Sequence, residues 1–300
     1  MIMRAGRRRK QAKALATLLM LLIAAWGTAA YTVPEYVLFR DRLRLDLLQF
    51  DSKLKLEPIE LAASDGLKLR SYYFAPDSGK PLIVYFPDRL GDIIHKPRHL
   101  IAMAEEGYGL LLTGYRGYGG NPGLPSETML YADASTLMRR IEIDHLAPDG
   151  VIVYGYSMGT GIASYVAATA DPLGLVLEAP FTTFGDAVRQ QFAQVPEWLV
   201  RTKFDTRSRI DKVNAPILIL AGDKDQITPA RFAKHLAAMN ADHASLVVVP
   251  DGNHLNLIRK GGGDAVKGFL AKLKFVAPAA ATAAVVYEAE PTSPANDAIR

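Results

Sequence analysis

The hydrophobic positions in the middle and C-terminal parts of the chain form short continuous runs. These runs cover residues 82–86, 109–113, 151–154, 175–178, 217–221 and 246–249. Helices are expected over residues 97–106, 127–145, 160–170 and 264–275. Strands that are apolar throughout are typical of parallel sheets covered on both faces. The pattern therefore predicts an α/β fold built on a mostly parallel, doubly wound sheet.

Apolar and polar residues alternate in two segments that precede the first continuous run. Residues 56–62 and 67–74 show this alternation, and the sequence Ser64-Asp65-Gly66 between them is typical of a tight turn. Alternation indicates strands with one face buried and the other in water. An antiparallel hairpin is therefore predicted at the start of the domain.

The N-terminal region has a different pattern. Residues 1–13 form an arm with six basic residues and no acidic one, and residues 14–33 carry no charge. A run of about 20 apolar residues is long enough to span a bilayer as a helix. The run is either an uncut signal anchor, a secretory signal peptide cleaved near residues 27–30, or a buried core helix.

The flanking charge and the length of this run separate the three interpretations. A dense basic flank argues against a core helix, and the run exceeds the usual apolar length of a signal peptide. The pattern therefore favours the uncut anchor. By the positive-inside rule the arm then lies in the cytoplasm and the rest of the chain outside it, on the periplasmic face of the inner membrane if the protein is bacterial.

The remainder of the chain divides into a connector, one large domain and a tail. The connector, residues 34–54, mixes apolar residues with arginines, as an interfacial helix or an irregular linker would. Residues 55–275 are enough for one sizeable α/β core. Within them, residues 181–210 are rich in aromatic residues and are predicted to form a cap, with an ordinary crossover helix as the alternative. Residues 276–300 have the composition of a disordered tail.

Charge and cysteine content narrow the classes of function. The formal net charge is +4, from 35 basic and 31 acidic residues. Without the six basic residues of the arm, 29 basic residues stand against 31 acidic ones, a balance of −2. A folded domain of this charge argues against nucleic acid as a partner. The chain has no cysteine, which excludes disulfides, thiolate metal sites and a cysteine nucleophile.

The strongest candidate chemistry lies between the run 151–154 and the predicted helix 160–170. The sequence there is Gly155-Tyr156-Ser157-Met158-Gly159. A Gly-x-Ser-x-Gly pattern between a strand and a helix is typical of a nucleophile elbow, in which the glycines leave room for a sharp turn. Ser157 is the candidate nucleophile, and the Met158 amide at the start of the helix is a candidate donor to an oxyanion.

Two later strand ends supply partners for such a serine. A serine hydroxyl needs a base to take its proton and an acid to orient that base. A loop with two carboxylates, Asp223 and Asp225, follows the run 217–221, and His254 follows the run 246–249. His254 is the candidate base and Asp225 the candidate acid, with Asp223 as the alternative.

Two other patterns are weaker. His95 and His99 stand four residues apart, but Pro97 between them argues against a shared metal-binding helix face. The glycine-rich run 114–123 lacks the lysine and the spacing of a phosphate-binding loop. Arg116 within it is expected to brace the loop against the sheet or to contact an anionic group. No metal and no cofactor are predicted.

The elbow, the acid loop, Asn253-His254 and the sequence Tyr115-Arg116-Gly117-Tyr118-Gly119 together resemble the α/β-hydrolase superfamily. The resemblance covers about residues 55–275 and is specifically to membrane-anchored serine hydrolases related to the α/β-hydrolase-domain depalmitoylases. It implies that Ser157 is the nucleophile, that His254 is the general base and acid, and that Asp225 orients it. It also implies an acyl-enzyme that water hydrolyses.

The chain departs from this family after the strand 82–86. Relatives carry His-Gly in this loop, where the chain has Pro87-Asp88. The resemblance places a second oxyanion donor here, at Asp88 or at the Arg89 amide. A carboxylate at Asp88 close to an oxyanion would oppose its formation.

These observations predict a serine hydrolase that cleaves carboxylic esters or thioesters. The aromatic cap favours an apolar substrate, with Tyr156, Phe181 and Phe184 as candidate substrate-binding residues. A serine peptidase or amidase is one alternative. A catalytically silent binding module is another, suggested by the altered loop at residues 87–92. The membrane is the expected partner of the N-terminal helix, and the sequence leaves the oligomeric state open.

Overall fold

A computed structural model of the chain describes residues 2–40, 54–91, 93 and 97–273. The strands of the described part are β1 (Glu57–Ala62), β2 (Lys68–Phe74), β3 (Leu82–Phe86), β4 (Gly109–Leu112), β5 (Val151–Tyr156), β6 (Gly174–Glu178), β7 (Ile217–Gly222) and β8 (Ala244–Val249). Its α-helices are α1 (Ile2–Arg40), α2 (Arg98–Glu105), α3 (Glu127–Ile143), α4 (Met158–Ala170), α5 (Phe184–Gln191), α6 (Ala230–Met239) and α7 (Gly262–Lys272).

The strands form one sheet in the order β1-β2-β4-β3-β5-β6-β7-β8. Antiparallel pairing joins β1 to β2 and β2 to β4, and all later pairs are parallel. The predicted hairpin and the predicted mostly parallel sheet are therefore confirmed. The sheet brings the carboxyl ends of β3, β5, β6, β7 and β8 to one edge, where a site is expected in this class of fold.

Helices cover both faces of the sheet and create two hydrophobic clusters. On one face α3, α4 and α6 pack on strand residues such as Val84, Val153 and Ile219. On the other face α2 and α7 pack on Tyr85 and Tyr154 among others. Strands β3 to β7 are buried at nearly every residue and are largely apolar, which is why their positions could be predicted.

Helix boundaries differ from the predicted ones by a few residues. Helix α3 ends at Ile143, two residues early, because His145 adopts a left-handed conformation with φ of 52° that ends the helix. Helix α7 begins at Gly262, directly after Gly261 with φ of 112°. Helix α6 is additional to the predicted helices. The predicted tail, residues 276–300, lies outside the described residues.

The N-terminal helix is longer than the predicted segment 14–33. Helix α1 takes in the basic arm from Ile2 and the first part of the connector up to Arg40. Its stretch Gln11–Val33 is long and apolar enough to cross a membrane, and only 6% of its apolar part is buried within the molecule. The interpretation as a buried core helix is therefore wrong. Residues 41–53 of the connector lie outside the described part of the chain.

The C-terminal part of α1 contacts the rest of the molecule. Ala30 packs in a small apolar cluster with Val188, Val195 and Val200, all from the segment predicted as a cap. The Arg201 guanidinium lies 5.2 Å from the centre of the Tyr31 ring. The end of the apolar helix is thereby held against the cap segment.

Candidate active site

Ser157 lies at a sharp turn between β5 and α4. Strand β5 ends at Tyr156 and α4 begins at Met158, so Ser157 alone makes the change of direction. Its backbone has φ of 52° and ψ of −115°, a conformation that is strained for a residue with a side chain. The Ser157 amide donates a 2.9 Å hydrogen bond to the Glu178 carbonyl of β6, which holds the turn in place.

Gly159 allows α4 to begin against the carboxyl end of β3. A Cβ atom at this position would lie 2.0 Å from the Phe86 carbonyl oxygen, a distance that no side chain can accept. At Gly155 a Cβ atom would lie 2.5 Å from the Gly159 carbonyl oxygen. Both glycines of the motif are therefore required by close backbone packing, as the sequence predicted.

The structure brings the three predicted side chains together. His254 Nε2 lies 2.9 Å from Ser157 Oγ, and His254 Nδ1 lies 2.8 Å from Asp225 Oδ2. Ser157 is half-buried, whereas Asp225 and His254 are buried. Asp223, the alternative acid, is exposed to solvent. The geometry therefore selects Asp225 as the partner of His254.

Hydrogen bonds occupy both oxygens of the Asp225 carboxylate. Oδ1 accepts the amide protons of Ile227 at 2.8 Å and Thr228 at 2.9 Å. Oδ2 lies 2.9 Å from the Thr228 hydroxyl in addition to His254. An ionised carboxylate can only accept, so the His254 proton resides on Nδ1 and leaves Nε2 to accept the Ser157 proton.

The environment of Asp225 also fixes its charge. Burial raises its pKa, but the hydrogen bond and charge of His254 and the hydrogen bonds of Thr228 outweigh burial and bring the pKa below its ordinary value of 3.8. A lowered carboxyl pKa stabilises the fold at pH values above 3.8, and this stabilisation is lost as the pH falls through the folded-state pKa. Asp225 is therefore ionised throughout the neutral range.

Close packing of two loops places His254 over the serine. A Cβ atom at Gly222 would lie 2.2 Å from the Gly252 carbonyl oxygen, so only glycine lets the acid loop and the histidine loop approach. The Tyr156 hydroxyl donates a 2.7 Å hydrogen bond to the His254 carbonyl from below. Tyr156 is 2% exposed. It positions the histidine loop, and its expected contact with substrate stays a prediction.

Thr228 is a site residue that the sequence analysis missed. Its hydroxyl lies 3.1 Å from the Ala179 carbonyl oxygen and 3.1 Å from His254 Nδ1, in addition to its contact with Asp225. The side chain is 1% exposed. A threonine three residues after a candidate acid, where a loop enters a helix, is the only signal in the sequence, and many such threonines merely cap helices.

We expect Thr228→Val to lower kcat about tenfold to a hundredfold, since a hydrogen bond to a charged group contributes about 1.5 to 3 kcal/mol. Valine keeps the shape of the side chain but removes the hydroxyl from Asp225. The measurement is steady-state ester hydrolysis, with KM expected to change little. Thr228→Ser restores the hydroxyl and should restore most of kcat. Equal losses in both variants would contradict a role through the hydroxyl.

The oxyanion candidates lie around the start of α4. Met158 is the first residue of that helix and is 1% exposed. Asp88 is also buried, but its Oδ1 accepts a 3.0 Å hydrogen bond from the Leu90 amide within its own loop. The Tyr115 hydroxyl donates to the Pro87 carbonyl and braces this loop. The Asp88 carboxylate thus accepts from the Leu90 amide, and the donor roles of Met158, Asp88 and Arg89 stay predictions.

The segment predicted as a cap forms α5 and a short 3₁₀ helix, Glu197–Leu199. Phe181 is 3% exposed and packs edge-to-face on Phe184, with ring centres 6.3 Å apart. At the end of α5, Gln190 and Gln191 donate to the carbonyl of Gln226, next to Asp225. The segment therefore reaches from α1 to the acid loop.

Arg116 braces its glycine-rich loop against the rest of the domain, which is one of the two roles expected from the sequence. Its guanidinium bonds to Asp133 of α3 at 2.6 Å and to Asp65 of the β1–β2 turn at 2.9 Å. The hydrogen bond with Asp133 raises the pKa of Arg116, so the side chain stays charged although it is 3% exposed. The glycine-rich loop is thereby tied to the hairpin.

Among the other histidines, His99 contacts the sheet rather than Ser157. His99 Nε2 lies 3.0 Å from the Tyr154 hydroxyl, on the opposite face of the sheet from α4. His95 falls outside the described residues. Within the described ranges, no group of three or more histidine, aspartate and glutamate side chains could hold a metal ion.

Comparison with known proteins gives matches along most of the domain. A family model described as alpha/beta hydrolase fold matches residues 83–209, and one described as TAP-like protein matches residues 179–279. An uncharacterized protein of Mycobacterium tuberculosis is 33% identical over 203 residues, which cover 65% of this chain and 71% of that protein.

Two further comparisons are with a lipase and an esterase. The lysophosphatidylserine lipase ABHD12 of Danio rerio is 27% identical over 192 residues, covering 56% of this chain and 50% of that protein. The esterase Pf2001 of Pyrococcus furiosus superimposes with a TM-score of 0.64 at 18% identity, covering 77% of this chain and 98% of the esterase. The likeness to the esterase is one of fold.

Proposed function

Because the chain belongs to the α/β-hydrolase superfamily, we propose that it is a serine hydrolase that cleaves carboxylic esters or thioesters. One observation carries the proposal: Ser157 Oγ, His254 and Asp225 form a continuous hydrogen-bonded chain with distances of 2.9 and 2.8 Å. Such a chain activates a hydroxyl as a nucleophile. The sharp turn between β5 and α4 presents this activated serine at the carboxyl edge of the sheet.

The reaction begins when Ser157 Oγ attacks the carbonyl carbon of the substrate. His254 Nε2 takes the hydroxyl proton as the new C–O bond forms, and Asp225 stabilises the resulting imidazolium. Collapse of the tetrahedral intermediate breaks the bond to the leaving alcohol or thiol, which receives that proton from His254. A water molecule, deprotonated by His254, then attacks the acyl-enzyme and releases the acid and free Ser157.

The oxyanion of the intermediate needs preorganised donors. The Met158 amide at the start of α4 supplies one, because the first amides of a helix have no partner within the helix. The loop after β3 supplies the second through the amide of Asp88 or Arg89. The bond from the Leu90 amide to Asp88 Oδ1 supports this role, since it satisfies part of the charge that would otherwise oppose an oxyanion.

The substrate we propose is an ester with an apolar acyl chain, bound beneath the cap beside Phe181 and Phe184. The similarity to a lysophosphatidylserine lipase supports an ester of lipid character over an amide. The apolar helix α1 agrees with a substrate found in membranes. We further propose that α1 is an uncut anchor with its basic end in the cytoplasm, which places the hydrolase domain on the other side.

The side of the membrane can be tested with one introduced cysteine, since the chain has none. Asp223→Cys places a thiol at an exposed position of the domain. A membrane-impermeant maleimide should label it in intact cells. Labelling only after the cells are lysed would contradict the orientation.

The substrate class can be tested with p-nitrophenyl esters of increasing chain length. We expect kcat/KM to rise from the acetate to a medium or long chain and aminoacyl or prolyl amides to remain uncleaved. A thioester of the preferred chain length tests the second bond type. Cleavage of amides alone would indicate a peptidase. No turnover of any compound by the folded protein would support the silent binding module and overturn the proposal.

A further inference from the structure

The cap segment is fixed to the end of the apolar helix. Val188, Val195 and Val200 of this segment form one apolar cluster with Ala30 of α1. The 3₁₀ helix Glu197–Leu199 also contacts α1. The distance of the cap from the centre of a membrane crossed by α1 therefore depends on where Ala30 lies along that helix.

This distance follows from the geometry of the helix. The stretch Gln11–Val33 has 23 residues, or about 34 Å at a rise of 1.5 Å per residue. The hydrocarbon core of a bilayer is roughly 30 Å thick. Ala30 is three residues from the end of this stretch, about 4.5 Å along the axis. With α1 spanning the bilayer as proposed above, a cap in contact with Ala30 lies at the surface of that bilayer.

The cap exposes large aromatic side chains beside this contact. Trp198 is 77% exposed and Phe192 is 58% exposed. Phe192 lies three residues before Val195, and Trp198 two residues before Val200, so each is within about 10 Å of the chain that touches α1. Exposed aromatic residues of this size are unfavourable in water and are typical of the interfacial region of membranes.

The polar surroundings fit the same partner. Tyr31 of α1 is 43% exposed and receives the Arg201 guanidinium on its ring. Tyrosine and tryptophan concentrate at the headgroup level, and an arginine there can bind lipid phosphate. From these observations we propose that the outer face of the cap, formed by Phe192, Trp198 and Arg201, docks on the bilayer crossed by α1.

The docked cap connects the membrane to the proposed active site. Gln190 and Gln191, just before Phe192, donate to Gln226 in the acid loop. The segment that carries Phe192 is thereby joined to the loop of Asp225. The docking itself does not require hydrolysis, so it can be tested separately from the proposed function.

The chain has only two tryptophans, Trp26 in α1 and Trp198 in the cap, which makes the test direct. In Trp26→Phe the emission of Trp198 can be observed alone. The full-length variant is reconstituted into phosphatidylcholine vesicles, with or without bromine atoms on the acyl chains near the headgroups. We expect bromolipids to quench Trp198 at least about twofold and the emission to be blue-shifted, as for residues of an interfacial aromatic belt.

A matched reporter elsewhere on the surface provides the control. Ile143 is 62% exposed at the C-terminal end of α3, at the sheet edge opposite the cap. Trp26→Phe/Trp198→Phe/Ile143→Trp should show no quenching. Equal quenching of the two reporters, or no quenching of Trp198, would overturn the proposal. A blue shift of Trp198 without bromolipid quenching would also overturn it, since a second protein surface would then cover the cap.

Discussion

Replacement of Ser157 by alanine is expected to lower kcat for ester hydrolysis by on the order of 10⁵-fold or more, to the level that binding and oxyanion contacts alone can provide. The substitution removes the nucleophile and leaves the fold almost unchanged, because the Ser157 side chain is not required by core packing. The backbone contact that holds the turn, from the Ser157 amide to Glu178, is preserved. The measurement is turnover of the preferred p-nitrophenyl ester under saturating conditions.

Ser164→Ala is the matched control for this experiment. Ser164 lies on α4, the helix that follows Ser157; it is fully buried and donates its hydroxyl to the Gly161 carbonyl rather than to His254. Its loss should leave kcat within about twofold, since a single neutral hydrogen bond contributes only about 1 kcal/mol to stability. Retained activity in Ser157→Ala, or a comparable loss in both variants, would contradict the assignment of the nucleophile.

Asp225→Asn is expected to lower kcat by on the order of 10⁴-fold, the loss typical of a histidine held in the wrong tautomer. Two backbone amides point at Oδ1 and will fix the amide oxygen of asparagine there. The amide nitrogen must then face His254 Nδ1, which becomes an acceptor. His254 Nε2 would carry the proton and could no longer take one from Ser157.

Asp223→Asn tests whether the loss of kcat is specific to position 225. The exposed Asp223 lies in the same loop, and removal of its charge should change kcat by less than about twofold, as for surface charges in general. Both variants should keep the far-ultraviolet circular dichroism of the parent at pH 7. Similar effects of the two substitutions, or full activity in Asp225→Asn, would show that the Asp225–His254 contact has no part in turnover.

The sheet was the most predictable part of the structure. Its inner strands are buried on both faces, so their sequences are largely apolar and can be recognised as strands. The carboxyl ends of parallel strands meet at one edge, so motifs after β5, β7 and β8 could be expected to converge without any knowledge of distances. The convergence of strand ends does not distinguish Asp225 from Asp223; the turn at Gly222 favours the later carboxylate, and in the structure Asp225 Oδ2 lies 2.8 Å from His254 Nδ1.

Other features depend on contacts between distant parts of the chain and have no local pattern. The role of Thr228 arises because Ala179, Asp225 and His254 meet around its hydroxyl. The hydrogen bond from the Tyr156 hydroxyl to the His254 carbonyl is another such contact, because it joins β5 to the loop after β8. The contact between Ala30 and the cap likewise joins two distant segments, and neither sequence on its own predicts it.

Covalent labelling with a fluorophosphonate tests whether Ser157 is a nucleophile made reactive by His254. Attack by Ser157 Oγ forms an O–P bond and expels fluoride, while His254 takes the hydroxyl proton. We expect one probe per chain, located by peptide mass spectrometry on Ser157, and labelling slowed by about 10³-fold or more in His254→Ala. Folded protein that remains unlabelled, or labelling of another residue that is unaffected by His254→Ala, would contradict this role of Ser157.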